Sequence, residues 1–333
     1  MRVVFMGTPD FAVPTLRALA EHGHDIMCVF TQPDRAAGRG RKLSPPPVKV
    51  AATELGLRVE QPPKVSVPEV VDAIRQMCPD VAVVAAFGQK ISPKLLAVPV
   101  HGFVNVHPSL LPRYRGAAPI ERCIMNGDEV TGVTIMYMDE GWDTGDIGLV
   151  RKVDVPRGAD AGQMRQCLAE HGAELMCEFL RLIELGRAPR IAQDHSQATY
   201  APKITEADQT VDFREPAAVI ERHVKGLSPD PCVVASIAGV RFKILNAQAV
   251  DDWSADTGDM ATPTVAPGML WPTRRLGLVV GCGVDGRDGL VLTEVQPAGG
   301  KRMGGAEFAR GRRISPGQSL DSPYPLDSGR GGA

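Results

Sequence analysis

The sequence predicts two domains: an α/β domain on a mainly parallel sheet, then a small β-rich domain. Three observations predict this. In the first half, short apolar runs alternate with segments of helical periodicity, the pattern of a sheet covered on both faces. In the second half, strand-like runs are divided by Gly, Pro and Asp, which suits a small β-barrel or an open antiparallel sheet. The length of 333 residues also fits about two domains.

Each element has a local reason. RVVFM reads as the first strand, and Asp10 to Glu21 carries apolar residues at helical spacing. DIMCVFT is the second strand candidate, PDVAVVAAF a fully buried one, and GFVNV the next. Between them Pro68 to Met77 reads as helical, as does Ser92 to Leu96, where Ser92 caps and Pro93 starts the first turn. TGVTIMYM and GLVRKV add strands, and Ala161 to Leu185 is a long amphipathic helix that closes the domain over residues 1–188. Residues 189–206 lack clear periodicity and read as a linker. The second domain, 207–314, opens with the helix candidate PAAVIERHVKGL, followed by strands in CVVASIAG, VRFKILNAQAV, LGLVVGC and GLVLTEVQP. Residues 315–333, rich in Ser, Pro and Gly, are expected to be disordered.

Composition narrows the function. With 44% hydrophobic and 23% charged residues the chain is ordinary for a soluble globular protein. No apolar run approaches the length of a membrane span, and the N-terminus lacks the apolar stretch of a signal peptide. The seven cysteines are scattered without a Cys-x-x-Cys pair, which suits reduced thiols in the cytoplasm. Net charge is −2, so the whole chain does not advertise nucleic acid. The cations are nevertheless clustered: Arg35, Arg39, Arg41, Lys42 and Lys49 lie between Asp34 and Glu54 without an acid, and Lys301, Arg302, Arg310, Arg312 and Arg313 are broken only by Glu307. Such patches are either solvated surface or a footprint for a phosphate backbone.

The chemistry concentrates at the end of GFVNVH. Residues i and i+2 of a strand share a face, so Asn105 and His107 project together from the carboxyl end of the sheet, where open α/β sheets build active sites. An amide donor beside an imidazole suits a reaction in which a carbonyl oxygen becomes negative. A carboxylate is needed beside the imidazole, and MDEGWDTGD offers Asp139, Glu140, Asp143 and Asp146. Asp143, between Gly141 and Gly145, is the first choice. A metal held by His107, Asp143 and Asp146 is the competing view, but a single His with no second ligand motif argues against it. VVFMGTPDFA has one Gly where a dinucleotide fingerprint needs three, which excludes NAD, and there is no Walker lysine motif.

FMGTPDFAVPTLRAL, TQPDRAAGRGRKLSPPPVK, NVHPSLLPRYRGAAPI and GVTIMYMDEGWDTGDI together resemble the methionyl-tRNA formyltransferase family. The resemblance runs from about residue 2 to 314 and is strongest before Leu149. It implies a Rossmann-like formyltransferase domain followed by an OB-type, β-barrel-like domain that binds tRNA. It implies transfer of a formyl group from 10-formyltetrahydrofolate, a co-substrate rather than a tightly bound cofactor, to the α-amino group of initiator methionyl-tRNA. Matched residue by residue, the catalytic set is Asn105, His107 and Asp143, with no metal. Ser109, Leu110, Leu111 and Pro112 match the folate-contacting loop, with Phe87, Gly88 and Gln89 as a further wall. Arg39, with Arg41 and Lys42 beside it, matches the loop that approaches the tRNA acceptor end. A cytoplasmic monomer is expected. The chain departs from the family at Trp142, where an aliphatic residue is more usual, and in SPDPCVVAS, where relatives tend to carry aromatics.

Overall fold

The apolar run Val81–Ala85 is the central strand of a seven-stranded sheet, buried along its whole length. The strand order is Ile147–Asp154, Val130–Tyr137, Phe103–His107, Val81–Ala85, Arg2–Gly7, Asp25–Phe30, Val59–Glu60. The five strands from Phe103–His107 to Val59–Glu60 are parallel, and Val130–Tyr137 runs antiparallel to both its neighbours. The computed structural model describes residues 1–37, 42–250, 253, 265–284 and 288–321. Among them, no helix is long and apolar enough to cross a membrane.

Both faces of this sheet are covered, as the near-continuous apolar strands require. On one face Val4, Met6, Phe30, Val84 and Phe103 pack with Val71 and Ile74 of the helix Pro68–Gln76 and with Leu95. On the other lies the long helix Ala161–Glu184. Two glycines let it approach: a Cβ at Gly148 would stand 2.6 Å from Phe179 Cζ, and one at Gly172 2.5 Å from Val106 Cγ1.

The chain divides into two compact units. One comprises Met1–Pro119, Glu129–Val155 and Gln163–Pro202; the other comprises Ile120–Asp128, Pro156–Gly162 and the chain from Lys203 onward. Residues 189–202, read from sequence within the linker, therefore group with the first unit. Ile191 exchanges backbone hydrogen bonds with Ile147 (2.7 and 2.9 Å), and Tyr200–Ala201 pairs in parallel with Arg115–Gly116. This segment has the weak periodicity of a loop because it is a strap: its backbone is satisfied by the end of the strand Ile147–Asp154 and by the short Arg115–Gly116 segment rather than by a helix or long strand of its own.

The second unit is an antiparallel sheet in the order Val233–Ile237, Val240–Val250, Asp288–Pro297, Leu278–Cys282, Met269–Pro272, Gln318–Ser319. Register shifts around Asn246 allow the eleven-residue strand to bend. The sheet curls until its two edge segments meet, Ser236 and Asp321 exchanging backbone hydrogen bonds of 3.1 and 2.7 Å. Phe242 and Phe308 meet inside it at 4.8 Å between ring centroids. Residues 315–321, expected in the tail, thus contribute an edge strand, whereas 322–333 lie outside the described residues. Three helices escaped the sequence reading: Pro47–Glu54, Pro119–Asn126 and Gly305–Arg312. Two begin with proline, which reads as a breaker yet suits the first helical turn. The third hides in the cluster of cations.

Candidate active site

Asn105 and His107 lie on the last three residues of the strand Phe103–His107, on the face that carries Phe103. Asn105 pairs in register with Val84 on one side and Met136 on the other. Its half-buried side-chain amide makes no hydrogen bond to any described residue, so its N–H groups are free for a ligand. His107 is 4% exposed. Its Nε2 lies 3.0 Å from the carbonyl oxygen of Tyr114. A carbonyl only accepts, so Nε2 carries the proton and donates it there. Nδ1 is left as the ring nitrogen that can gain or lose a proton, and it faces Asp143 Oδ1 at 3.7 Å.

The loop after the strand is built to hold this geometry. Thr134, fully buried on the neighbouring strand, donates to the Ser109 carbonyl (2.7 Å) and accepts the Leu111 N–H (3.2 Å). The Ser109 hydroxyl donates to the Arg113 carbonyl at 2.7 Å, closing a tight turn. The Leu111–Pro112 peptide is cis. Tyr114, whose carbonyl fixes His107, has φ 59° and donates its N–H to Thr199 Oγ1 of the strap at 2.8 Å. Through Ser109 and Tyr114 the segment PSLLPRYRG therefore holds the carbonyl that orients the histidine.

Asp143 comes from the other side. Its Oδ2 accepts the Gly116 N–H at 2.8 Å, and its backbone sits at φ 53°, a left-handed conformation uncommon outside Gly, Asn and Asp. Gly116 itself has φ 117°, and a Cβ there would stand 2.7 Å from the Ala201 carbonyl. The other carboxylates of this loop have different partners: Asp139 accepts from Thr144 Oγ1 (2.7 and 2.9 Å) and Asp146 pairs with Arg190 at 2.8 Å, while Glu140 is exposed. Geometry singles out Asp143 as the partner of His107.

The remaining candidates from the sequence are spread unevenly. Phe87 is 2% exposed, and its carbonyl accepts from Thr8 Oγ1 (2.9 Å) and Gln32 Nε2 (3.2 Å). Gly88 has φ 80°, and the Gln89 amide is occupied by the Val65 N–H (2.7 Å) and the Pro62 carbonyl (3.0 Å). These residues follow the central strand and stand at the same end of the sheet as Asn105. Ser109 and Leu111 turn inward, whereas Leu110 and Pro112 are half-buried. A Cβ at Gly132 would stand 2.5 Å from Leu110 Cδ2, so Leu110 lies against that glycine. Arg39 and Arg41 lie outside the described residues, and Lys42 begins the short strand Lys42–Ser44, paired with Arg35–Ala37. Trp142, beside Asp143, is 71% exposed. Sequence reasoning missed Thr134, Arg115 and Gln193. The signal for the last two was a polar residue in each of two segments without periodicity, RYRG and IAQDHS, which only the fold brings together.

The comparisons with known proteins agree with this architecture. Residues 1–180 match the formyl transferase family model and residues 203–313 match the formyl transferase C-terminal domain. The methionyl-tRNA formyltransferase of Geobacter sulfurreducens is 42% identical over 320 residues, covering 96% of each chain. That of Moorella thermoacetica is 44% identical over 320 residues, 96% of this chain and 99% of the relative. Among solved structures, an N-formyltransferase from Helicobacter canadensis in complex with folinic acid and dTDP-3-aminofucose aligns with a TM-score of 0.65 at 15% identity, over 89% of this chain and 98% of that one. HypX from Aquifex aeolicus in complex with tetrahydrofolic acid aligns at 0.62 and 17% identity, over 93% of this chain and 47% of that one. At such identities the structures speak for the fold, and the two bacterial relatives speak for the family. The chain belongs to the methionyl-tRNA formyltransferase family.

Proposed function

We propose that Asn105, His107 and Asp143 carry the transfer of a formyl group from 10-formyltetrahydrofolate to the α-amino group of initiator methionyl-tRNA. The observation that carries this reading is a free Asn105 amide beside a histidine whose Nε2 is committed to the Tyr114 carbonyl and whose Nδ1 faces Asp143. The names of the relatives support the acceptor, and the folate ligands of two fold neighbours support the donor.

The neutral amine attacks the formyl carbon, a C–N bond forms, and the carbonyl oxygen becomes an oxyanion. Asn105 donates an N–H to that oxygen, stabilising charge that develops only as the reaction proceeds. His107, two residues on along the same face, adds the field of an imidazolium when protonated, and Asp143 holds the ring oriented. When the tetrahedral centre collapses, the bond to the folate nitrogen breaks. The attacking amine has lost one proton and the folate nitrogen has gained one. Nδ1 of His107 and the Asp143 carboxylate are the protein groups placed to relay it, because Nε2 is held by a backbone carbonyl.

The mouth of the site follows from the same reading. Leu110, Ser109, Leu111 and Pro112, with Phe87, Gly88 and Gln89 opposite, form the folate slot, and Arg39, Arg41 and Lys42 approach the acceptor end of the tRNA. The protein works as a cytoplasmic monomer without a tightly bound cofactor. A second reading, formylation of an amino sugar on a nucleotide, is favoured by the fold likeness to the Helicobacter canadensis enzyme. An acceptor panel separates the two. With 10-formyltetrahydrofolate as donor, methionyl-tRNA should be formylated, and free methionine, a dTDP-linked amino sugar and glycinamide ribonucleotide should not. Preferential formylation of the amino sugar would overturn the proposal.

A further inference from the structure

We propose that Gln193 is a positioning residue for formyl transfer, acting through Asp143. The inference rests on the catalytic role given above to Asp143. Gln193 belongs to the strap, is 6% exposed, and uses its whole hydrogen-bonding capacity. Its Nε2 donates to the carbonyl of Asp143 at 2.9 Å and to that of Gly145 at 2.7 Å. Its Oε1 accepts from Arg115 Nε at 3.1 Å and Nη2 at 2.6 Å. This assigns the amide orientation uniquely, since the reverse would set oxygen against two carbonyls and nitrogen against a guanidinium.

Arg115 is itself 2% exposed and has no carboxylate within ion-pair distance among the described residues; its other contact is His195 Nδ1 at 3.0 Å. The next residue, Gly116, donates its N–H to the Asp143 carboxylate. Asp143 is thus held twice from the same pair of residues: directly at its side chain by Gly116, and through Gln193 at its backbone by Arg115. The grip matters because Asp143 occupies the left-handed region. Released from Gln193, the 143–145 backbone can relax, and the carboxylate moves off the Nδ1 that it now faces at 3.7 Å. An arrangement that depends on sub-ångström placement loses rate steeply when displaced.

Gln193→Glu is the sharpest test. It keeps the size and the contact to Arg115, but sets a carboxylate oxygen against the carbonyls of Asp143 and Gly145. The measurements are kcat and KM for both substrates, thermal stability, and the same substitution in an Asp143→Asn background. The expected result is a kcat lowered about 10- to 100-fold, with both KM values within about threefold, and little further loss in the double variant. A kcat near wild type, or an equal loss with and without Asp143, would overturn the proposal. If Asp143→Asn alone proves harmless, the catalytic reading of Asp143 fails instead. Should the Glu variant not fold, Gln193→Ser tests the same cross-link without a new charge, with the same expected and overturning results.

Discussion

Replacing Asp143 with Asn changes one charge and little else, so its cost can be worked from the geometry. Asn tolerates the φ of 53° at this position, and its carbonyl oxygen can still accept the Gly116 N–H. What disappears is the attraction between a carboxylate and an imidazolium 3.7 Å apart. Coulomb's law sets that at about 1 kcal/mol in bulk water and about 4 kcal/mol at an effective dielectric of about 20. His107 is nearly enclosed and the Asp143 side chain is 18% exposed, so the pair belongs toward the upper figure. About 3 kcal/mol is a loss of about 10²-fold in kcat/KM. The assay is steady-state formylation of methionyl-tRNA at saturating donor, with thermal melting to show that the fold persists. His107→Ala should cost less in the Asp143→Asn background than it does in the wild-type protein. A folded Asp143→Asn variant within threefold of wild type would refute the reasoning.

Three further predictions test other parts of the molecule. Arg39→Ala should sharply lower kcat/KM for methionyl-tRNA while folate binding and the melting temperature hold, and tRNA use should weaken with rising salt as phosphate contacts release counterions; unchanged tRNA kinetics would return the loop to plain solvated surface. Burial works to raise the Asp208 carboxyl, but bonds from Arg122 and from the backbone and hydroxyl of Thr205 outweigh it and hold it down at about 2. Its stabilisation is therefore present above the ordinary carboxylate value near 4 and lost as pH falls to about 2. Asp208→Asn should cost about 1–2 kcal/mol at pH 7 after allowance for solvent screening, with the gap to wild type closing in acid denaturation series; a gap independent of pH would contradict this. Burial pushes the thiols of Cys28 and Cys177 up to about 11 and that of Cys282 up to about 12, whereas Cys78 is exposed. A maleimide reagent at neutral pH should label Cys78 first by peptide mass analysis, and equally fast labelling of Cys282 in the native protein would be the contrary result.

Much of this molecule was legible because local rules and tertiary fold agree. The strand FVNVH follows from alternation, and its two polar residues share a face by the geometry of any strand. Asp143 was legible as the first choice among four acids from the glycines on either side, and the structure adds that Asp139 and Asp146 already have Thr144 and Arg190 as partners. The curled second sheet was read as a run of short strands, while its closure at Ser236 and Asp321 joins residues too distant in sequence for any local signal. The strap was opaque for the same reason. Gln193, Thr199 and Ala201 act through hydrogen bonds to segments roughly 50 to 85 residues away, and no periodicity marks such contacts. The helix Gly305–Arg312 was lost in its own charge, since Phe308 and Ala309 alone supply its buried face beyond Gly305.

The free amide of Asn105, as the donor to the developing oxyanion, is the feature on which formyl transfer here most directly depends. A single-turnover measurement isolates that step: enzyme in excess over methionyl-tRNA, saturating 10-formyltetrahydrofolate, and formyl-methionyl-tRNA sampled by rapid quench. Asn105→Ala should slow the chemical step by about 10²- to 10³-fold, with donor affinity and melting temperature close to wild type. A folded Asn105→Ala protein that transfers formyl at the wild-type rate would contradict the account.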